Sequence, residues 1–454
     1  MTGMAATTAL SRAYWSAFTL WHARRESALP YRPLEETAAL QARRLRAMLT
    51  HAFKTVPHYR EMMLDLGLTP ADFRTAADLE KLPITKHRDL AERPERFVST
   101  AVPRNSCLEL TTTGSSGTFK RVLVDPSALF QARAAGLRQR QVWARFLGRI
   151  TACREVAIAR EGGTRPVIQT FYRDHAWVPR QLDLRRAIVS PGDSFARNVE
   201  VINSFKPDLI VGFGAYVGAI FRWAWLNDIA IHSPKLISYG GDHLRPPDRR
   251  LIETEHGVPI LSTYQTCEAL HMAFQCEQRQ GFHISIDQVA VRVVNSQGCD
   301  LPPGVPGNIV ISNLTNRATV LLNYQLGDRV TLAAQPCPCG RTLPLLASLD
   351  GRAEDFIVRP NGEVAHETVI LPQLYDVPGV LQLQLQQLDL QEFRLLVVTA
   401  PESDWSRARR ILDAILRTVL GHGEELVVSI ERVADIPCGP AGKFTAIRSA
   451  CTQG

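Results

Sequence analysis

The segment Thr111-Thr-Thr-Gly-Ser-Ser-Gly-Thr-Phe-Lys120 concentrates hydroxyls, glycine and a terminal lysine, with no large aliphatic side chain. Such a stretch cannot build a core strand or an amphipathic helix. It lies between Cys107–Thr111 and Arg121–Val124, which both read as strands. A loop there offers backbone N–H groups, hydroxyl donors and a cation to one small volume, chemistry suited to the oxygens of a polyphosphate. It is not a P-loop, because its glycines are too close together and no Lys-Ser/Thr pair follows. Taken alone, Gly/Ser/Thr loops are more often plain hydrophilic turns. The meaning of this one depends on what else the chain carries.

Several other segments carry chemistry. Tyr264-Gln-Thr-Cys-Glu268 closes a strand-turn with one aromatic ring and one carboxylate. Leu326-Gly-Asp328 puts an acid on a turn after a strand, and Pro437-Cys-Gly-Pro-Ala-Gly-Lys443 is a glycine/proline-rich loop with a single lysine. Val211-Gly-Phe-Gly214 and Tyr239-Gly-Gly-Asp242 end two apolar runs. In open α/β sheets ligands sit at the carboxyl ends of strands, although each of these is on its own equally a strand-to-helix turn. Cys276, His283, Cys337 and Cys339 supply three sulfurs and an imidazole, a recognised structural zinc set. Their spacing is not that of a standard finger, so unligated cysteines are the alternative reading. With four protein ligands the site would be closed and structural.

The elements that must position these residues follow from periodicity. Leu40–Phe53 has apolar residues at helical spacing and ends at Val56-Pro57, where proline disfavours helix in its predecessor. Leu82-Pro-Ile-Thr-Lys predicts a helix start capped by Thr85, and Asp125-Pro-Ser begins a long helix. From about 150 to 330, the apolar runs 155–159, 208–213, 235–239 and 258–261 alternate with helical stretches at 194–206 and 216–227. That alternation predicts α/β architecture with mostly parallel sheets. After about 285 the strands shorten and alternate (284–294, 307–312, 319–324), predicting a small antiparallel or barrel-like subdomain. Strands at 381–385, 393–398 and 425–430 around a helix at 404–420 predict a small α+β domain. The expected division is a large N-terminal domain, 1–351, with a candidate zinc-stabilised subdomain at about 270–350, then a small mobile C-terminal domain, 352–454.

Composition sets outer bounds. The chain has 454 residues, 45% hydrophobic and 21% charged, with a net charge of +7. The positive charge is diffuse, with no basic block or aromatic interleaving that would predict nucleic-acid binding. No window predicts a membrane span. Nine cysteines without framework spacing suit a reducing compartment, so the expected location is cytoplasmic.

In this order and at these separations, the motifs resemble those of the adenylate-forming superfamily of acyl- and aryl-CoA synthetases. Val56-Pro-His-Tyr-Arg60 and Leu82-Pro-Ile-Thr-Lys86 look like its phenylacetate–CoA ligase and capsule-biosynthesis-type branch. The likeness spans roughly residues 35 to 448. It implies that Thr112, Thr113, Gly114, Ser115, Ser116, Gly117, Thr118 and Lys120 grip ATP phosphates. It implies further that Tyr264 stacks on adenine, Glu268 holds Mg²⁺, and Asp328 takes the ribose hydroxyls, with Arg352 beside it or at the phosphate. Gly240, Gly241 and Asp242 complete the nucleotide set. Lys443 bridges carboxylate and α-phosphate, Glu354 is the hinge of the C-terminal domain, and zinc in a comparable place occurs in the branch. The implied partners are a carboxylic acid, ATP and CoA, with a homodimer allowed. Phe213, Gly214, Tyr216 and Tyr239 suit a flat aryl acid. The chain departs from the pattern at Gln265, Cys267, Gln325-Leu326 and Val358–Val364. The last lies where the ligases form their CoA tunnel, which leaves CoA, a carrier-protein pantetheine or an amine open as acceptor. A non-catalytic nucleotide-binding scaffold is the reading from another class, and the joint presence of Lys120, Glu268, Asp328, Arg352 and Lys443 speaks against it.

Overall fold

A computed structural model describes residues 8–113, 119–149, 151, 153–160, 162–177, 185–352, 356–421, 425–437 and 444–451, with Thr112, Thr113, Phe119 and Thr368 described in backbone only. Its elements, in chain order, are α1 (Ala9–Glu26), α2 (Leu34–Thr55), α3 (Pro57–Asp65), α4 (His87–Glu92), β1 (Leu108–Thr113), β2 (Phe119–Val124), α5 (Pro126–Leu147), β3 (Arg154–Ile158), α6 (Thr164–His175) and β4 (Arg185–Val189). Next come α7 (Phe195–Phe205), β5 (Leu209–Gly212), α8 (Gly214–Leu226), β6 (Leu236–Gly240), α9 (Pro246–Glu255), β7 (Ile260–Thr266), β8 (Leu270–Phe274), β9 (Phe282–Ile284), β10 (Val289–Val294), β11 (Pro306–Asn313), β12 (Tyr324–Leu332) and β13 (Leu345–Arg352). The chain ends with β14 (Phe356–Val358), β15 (Val364–His366), α10 (Glu367–Tyr375), β16 (Val380–Gln387), β17 (Glu392–Thr399), α11 (Trp405–Leu416), β18 (Val427–Arg432) and β19 (Ile447–Ser449). This is the α/β class expected. Among the described residues, no helix is long and apolar enough to cross a membrane.

The chain divides into two compact units. The first comprises 1–152, 161–184 and 262–349, and the second 153–160, 185–261 and 350–454.

In the first unit, β1 and β2 form an antiparallel hairpin that sets Lys120 opposite Thr112. The Asp125 carboxylate accepts the Ala128 N–H at 3.0 Å and starts α5. Proline at the first helical position completes the start signal read from sequence, and Gly148 at φ 73° ends the helix. Strands β10-β11-β12-β13-β9-β8-β7 form a row whose described pairings are antiparallel, the first of the two arrangements expected and not the barrel-like one. Two local expectations fail for the same reason. Thr85 does not cap α4, because its backbone bonds to Asn323 and Gln325, and Lys86 takes the cap position. Residues 319–323 are not a strand, because Thr319 and Val320 donate to Leu123 and Phe97. In both places pairing with a distant segment outweighs local preference.

In the second unit, β4-β3-β5-β6 are parallel. The mostly apolar runs of β5 and β6 are what burial on both faces requires, whereas β4, at the edge, begins with Arg185 and Arg186 and buries only Val189. Val156, Ile158, Ile210 and Ile237 pack with Val217, Ile220 and Phe221 of α8 in one core. A second core joins Leu383, Leu385, Phe393 and Leu395 to Leu412 and Leu416. Around it β18-β17-β16-β19 form the predicted α+β arrangement with α11.

Candidate active site

The β7–β8 hairpin carries Tyr264 and Glu268. Tyr264 stands opposite Ala273 and Gln265 opposite His271, with an irregularity between the two pairs. Such a bulge re-aims the side chains that follow it. Thr266 Oγ1 accepts the Ala269 N–H at 3.1 Å and closes the turn. Asn313, ending β11, donates its amide to the Glu268 carbonyl at 2.8 Å. Glu268 is thereby only 6% exposed. Its Oε1 lies 3.6 Å from Lys120 Nζ, with both side chains nearly buried. The ammonium also sits 5.9 Å from the Tyr324 ring centroid, within cation–π range. Two buried charges this close neutralise each other, since either alone would be costly to desolvate. Among the described residues none donates a hydrogen bond to the Glu268 carboxylate. A carboxylate with open lone pairs is what a hard cation sharing its shell with substrate oxygens requires, so the residue fits Mg²⁺.

Asp328 belongs to β12 rather than to a turn after a strand. Gly327 before it has φ 87°, a conformation that glycine adopts at no steric cost. The Tyr264 hydroxyl donates to Asp328 Oδ2 at 2.5 Å. The first unit therefore brings Lys120, Tyr264, Glu268 and Asp328 onto β2, the β7–β8 hairpin and β12.

In the second unit, Asp242 is a helix cap. Its Oδ1 accepts the Gly214 N–H at 2.5 Å and its Oδ2 the Ala215 N–H at 3.3 Å, at the positive end of α8. Gly214 leaves no room for a Cβ, which would lie 2.7 Å from Leu244 N and from Tyr239 Cδ2. Gly241 has φ 85° and faces the Phe213 ring. Gly240 ends β6. The Tyr239 hydroxyl accepts from Arg249 at 3.2 Å. Tyr216 is 3% exposed and accepts from Asn198 at 2.7 Å, inside the core of α7 and α8. Arg352 ends β13 and is half-buried. Gly114, Ser115, Ser116, Gly117, Thr118, Glu354 and Lys443 lie outside the described residues.

The ligand atoms of Cys276, His283, Cys337 and Cys339 all lie within 4.8 Å of one another. Cys276 Sγ is 3.6 Å from Cys337 Sγ, and Cys339 Sγ is 3.3 Å from His283 Nε2. Tetrahedral zinc with bonds of about 2.3 Å to sulfur separates its sulfurs by ~3.7 Å, so the set fits zinc. His283 Nδ1 faces the Leu343 carbonyl at 3.4 Å, which directs Nε2 to the sulfurs. Burial pushes the Cys276 thiol up to about 12. At Cys339 burial acts the same way, but hydrogen bonds from Arg341 outweigh it and lower the thiol.

Two contributors escaped the sequence reading. Asn313 gives no local signal, because its role is to hold the carbonyl of Glu268 from another strand. Tyr324 lies in the same phrase as Asp328, where its aromatic type was visible but its place beneath Lys120 was not.

No model of a known protein family matches the chain. Phenylacetate-coenzyme A ligase of Thermus thermophilus is 27% identical over 366 residues, 77% of each chain. That of Aromatoleum evansii is 25% identical over 338 residues, 71% of this chain and 72% of the relative. Among solved structures, 2-hydroxyisobutyryl-CoA ligase in the postadenylation state, in complex with R3-HIB-AMP, superposes with a TM-score of 0.75 at 18% identity. The match covers 94% of this chain and 91% of that one, and it shows a shared fold.

Proposed function

We propose, for a chain that belongs to the adenylate-forming superfamily on its phenylacetate–CoA ligase branch, that it activates a carboxylic acid with ATP and transfers the acyl group to CoA. In the first half-reaction a carboxylate oxygen bonds to the α-phosphorus, and pyrophosphate leaves. In the second, the CoA thiolate bonds to the acyl carbon and AMP leaves. The observation that carries this reading is the β7–β8 hairpin, whose Tyr264 reaches Asp328 while its Glu268 reaches Lys120.

Bringing a carboxylate to ATP joins two anions, so repulsion and the charge developing on phosphorus must be neutralised. Lys120 and Lys443 supply positive charge, and Arg352 adds a planar fork for ribose or phosphate. Tyr264 and Asp328 hold adenine and ribose. Glu268 would hold Mg²⁺, which would add further positive charge at the phosphates. The hydroxyl-rich segment Thr112–Thr118 grips the phosphates that leave. Phe213, Gly214 and Tyr239 suit an aryl or similarly flat acid, with Gly240 and Gly241 shaping the strand end. Residues 352–454 act as a mobile domain hinged at Glu354, bringing Lys443 in for the first half-reaction and withdrawing it for the second. The Cys276, His283, Cys337 and Cys339 cluster holds a structural zinc. Nine cysteines without framework spacing support a reducing cytoplasm.

Carboxylate-dependent exchange of labelled pyrophosphate into ATP, across a panel of aryl and short-chain acids, tests the reading. Exchange with at least one acid, followed by CoA-dependent release of AMP, is expected. No exchange with any acid overturns it, and exchange without CoA-dependent release moves the acceptor to an amine or a carrier protein.

A further inference from the structure

Strand β16 carries a run of buried glutamines that no apolar core requires. Gln382 is fully buried and Gln384 is 3% exposed. Alternate residues of a strand share a face, and both side chains donate to main-chain carbonyls rather than to each other. Gln382 Nε2 reaches the Ile436 carbonyl at 2.5 Å, and Gln384 Nε2 reaches the Thr445 carbonyl at 2.8 Å. In sequence these two carbonyls bracket Lys443.

Gln382 has a second connection. Its Oε1 accepts from Arg222 Nη2 at 2.9 Å, and Arg222 Nη1 donates to Asp248 Oδ1 at 2.7 Å. Arg245 Nε donates to Asp248 Oδ2 at 2.7 Å. The Arg245 guanidinium lies 5.0 Å from the ring of Phe444, next in sequence to Lys443. Arg222, Asp248 and Arg245 are at most 5% exposed. A close approach is built into α8, since a Cβ at Gly218 would collide with the Asp248 carboxylate. Buried hydrogen-bonded networks of this kind tolerate few alternative geometries.

We infer that Gln382 is a positioning residue for the adenylation half-reaction, tying the main chain at Ile436, which precedes Lys443 in sequence, to the Arg222–Asp248–Arg245 network. The inference rests on the adenylation reading and deepens it. An amide is the side chain that does this, because it must accept from a guanidinium and donate to a carbonyl at once. Leucine at 382 removes both bonds. Glutamate keeps the acceptor for Arg222 but sets a carboxylate against the Ile436 carbonyl.

The experiment separates the two half-reactions in the full-length protein. Pyrophosphate exchange reports adenylation, and CoA-dependent thioester formation from chemically prepared acyl-AMP reports the second step. For Gln382→Leu, the exchange kcat is expected to fall at least about tenfold, as displacement of a catalytic group does. The KM for the acid and the rate from acyl-AMP should stay within about twofold, too little to signal a lost contact at the reacting groups. Equal losses in both half-reactions, or unchanged exchange, overturn the assignment. Should Gln382→Leu fail to fold by thermal melting, Gln382→Glu is read by the same criteria. Absence of exchange in the wild-type protein overturns the adenylation reading itself, which is a different outcome from wild-type exchange with parallel losses.

Discussion

The Tyr264 hydroxyl donates to Asp328 Oδ2 at 2.5 Å, across 64 positions of sequence. The bond joins the ring proposed for adenine to the carboxylate proposed for ribose, so each orients the other. Tyr264→Phe keeps the ring and removes the donor. Hydrogen bonds to charged groups contribute about 1.5–3 kcal/mol, and part of that should be recovered by water. The KM for ATP is expected to rise about 3- to 10-fold with little change in kcat, the pattern of lost uniform binding. An unchanged KM for ATP would remove Tyr264 from the nucleotide site.

Lys120 and Glu268 form a nearly buried pair at 3.6 Å. Glu268→Gln leaves the ammonium without its counter-charge, and breaking a buried pair from one side costs about 3–5 kcal/mol. The denaturation midpoint should fall accordingly in urea. Pyrophosphate exchange should drop at least about 10²-fold, as for other groups that stabilise transition-state charge. A variant that is stable yet inactive would show that the pair matters for chemistry alone.

Asp242 caps α8 through Gly214 and Ala215. Asparagine keeps one acceptor oxygen, enough for the short bond from Gly214, whereas alanine removes both at a cost of roughly 1 kcal/mol. Asp242→Asn should melt close to wild type and Asp242→Ala about 1–3 °C lower. If Asp242→Asn loses exchange while keeping its melting temperature, the carboxylate serves the nucleotide as well as the helix.

For zinc, metal analysis of purified protein should find about one equivalent, lost in Cys337→Ser, because structural sites need all four ligands. Equal metal content in the two proteins would take Cys337 out of the ligand set.

His271 offers a pH test. Burial, with Arg165, Arg138 and Arg140 nearby, lowers its imidazole to about 4 from the usual 6.5. Gln265 Nε2 faces its Nδ1 at 3.1 Å, a contact that suits the neutral ring. The unfolded chain therefore binds the proton more readily than the native one, so stability falls as pH drops from 6.5 towards 4. The contribution is fully present above 6.5. His271→Gln should flatten that part of a stability-against-pH curve measured in urea; an identical slope would show that other groups carry it.

What the sequence determined by itself is local in its physics. Apolar spacing placed α2, Asp125-Pro126 started α5, and the apolar runs of β3, β5 and β6 announced a parallel sheet, because each depends on neighbours a few positions away. Residue type and order also marked Lys120, Tyr264, Glu268 and Asp328 as carriers of chemistry. Tertiary structure decided what each one touches. Only the packed fold sets Glu268 against Lys120 and hands its carbonyl to Asn313. Only packing turns Asp242 into the cap of a helix that precedes it, pulls Thr85 away from its own helix, and brings the ligand atoms of four candidate metal-binding side chains within 4.8 Å of one another. Those pairings satisfy buried charges and hydrogen-bonding groups with partners far away in sequence, and no local pattern encodes such a partner's position.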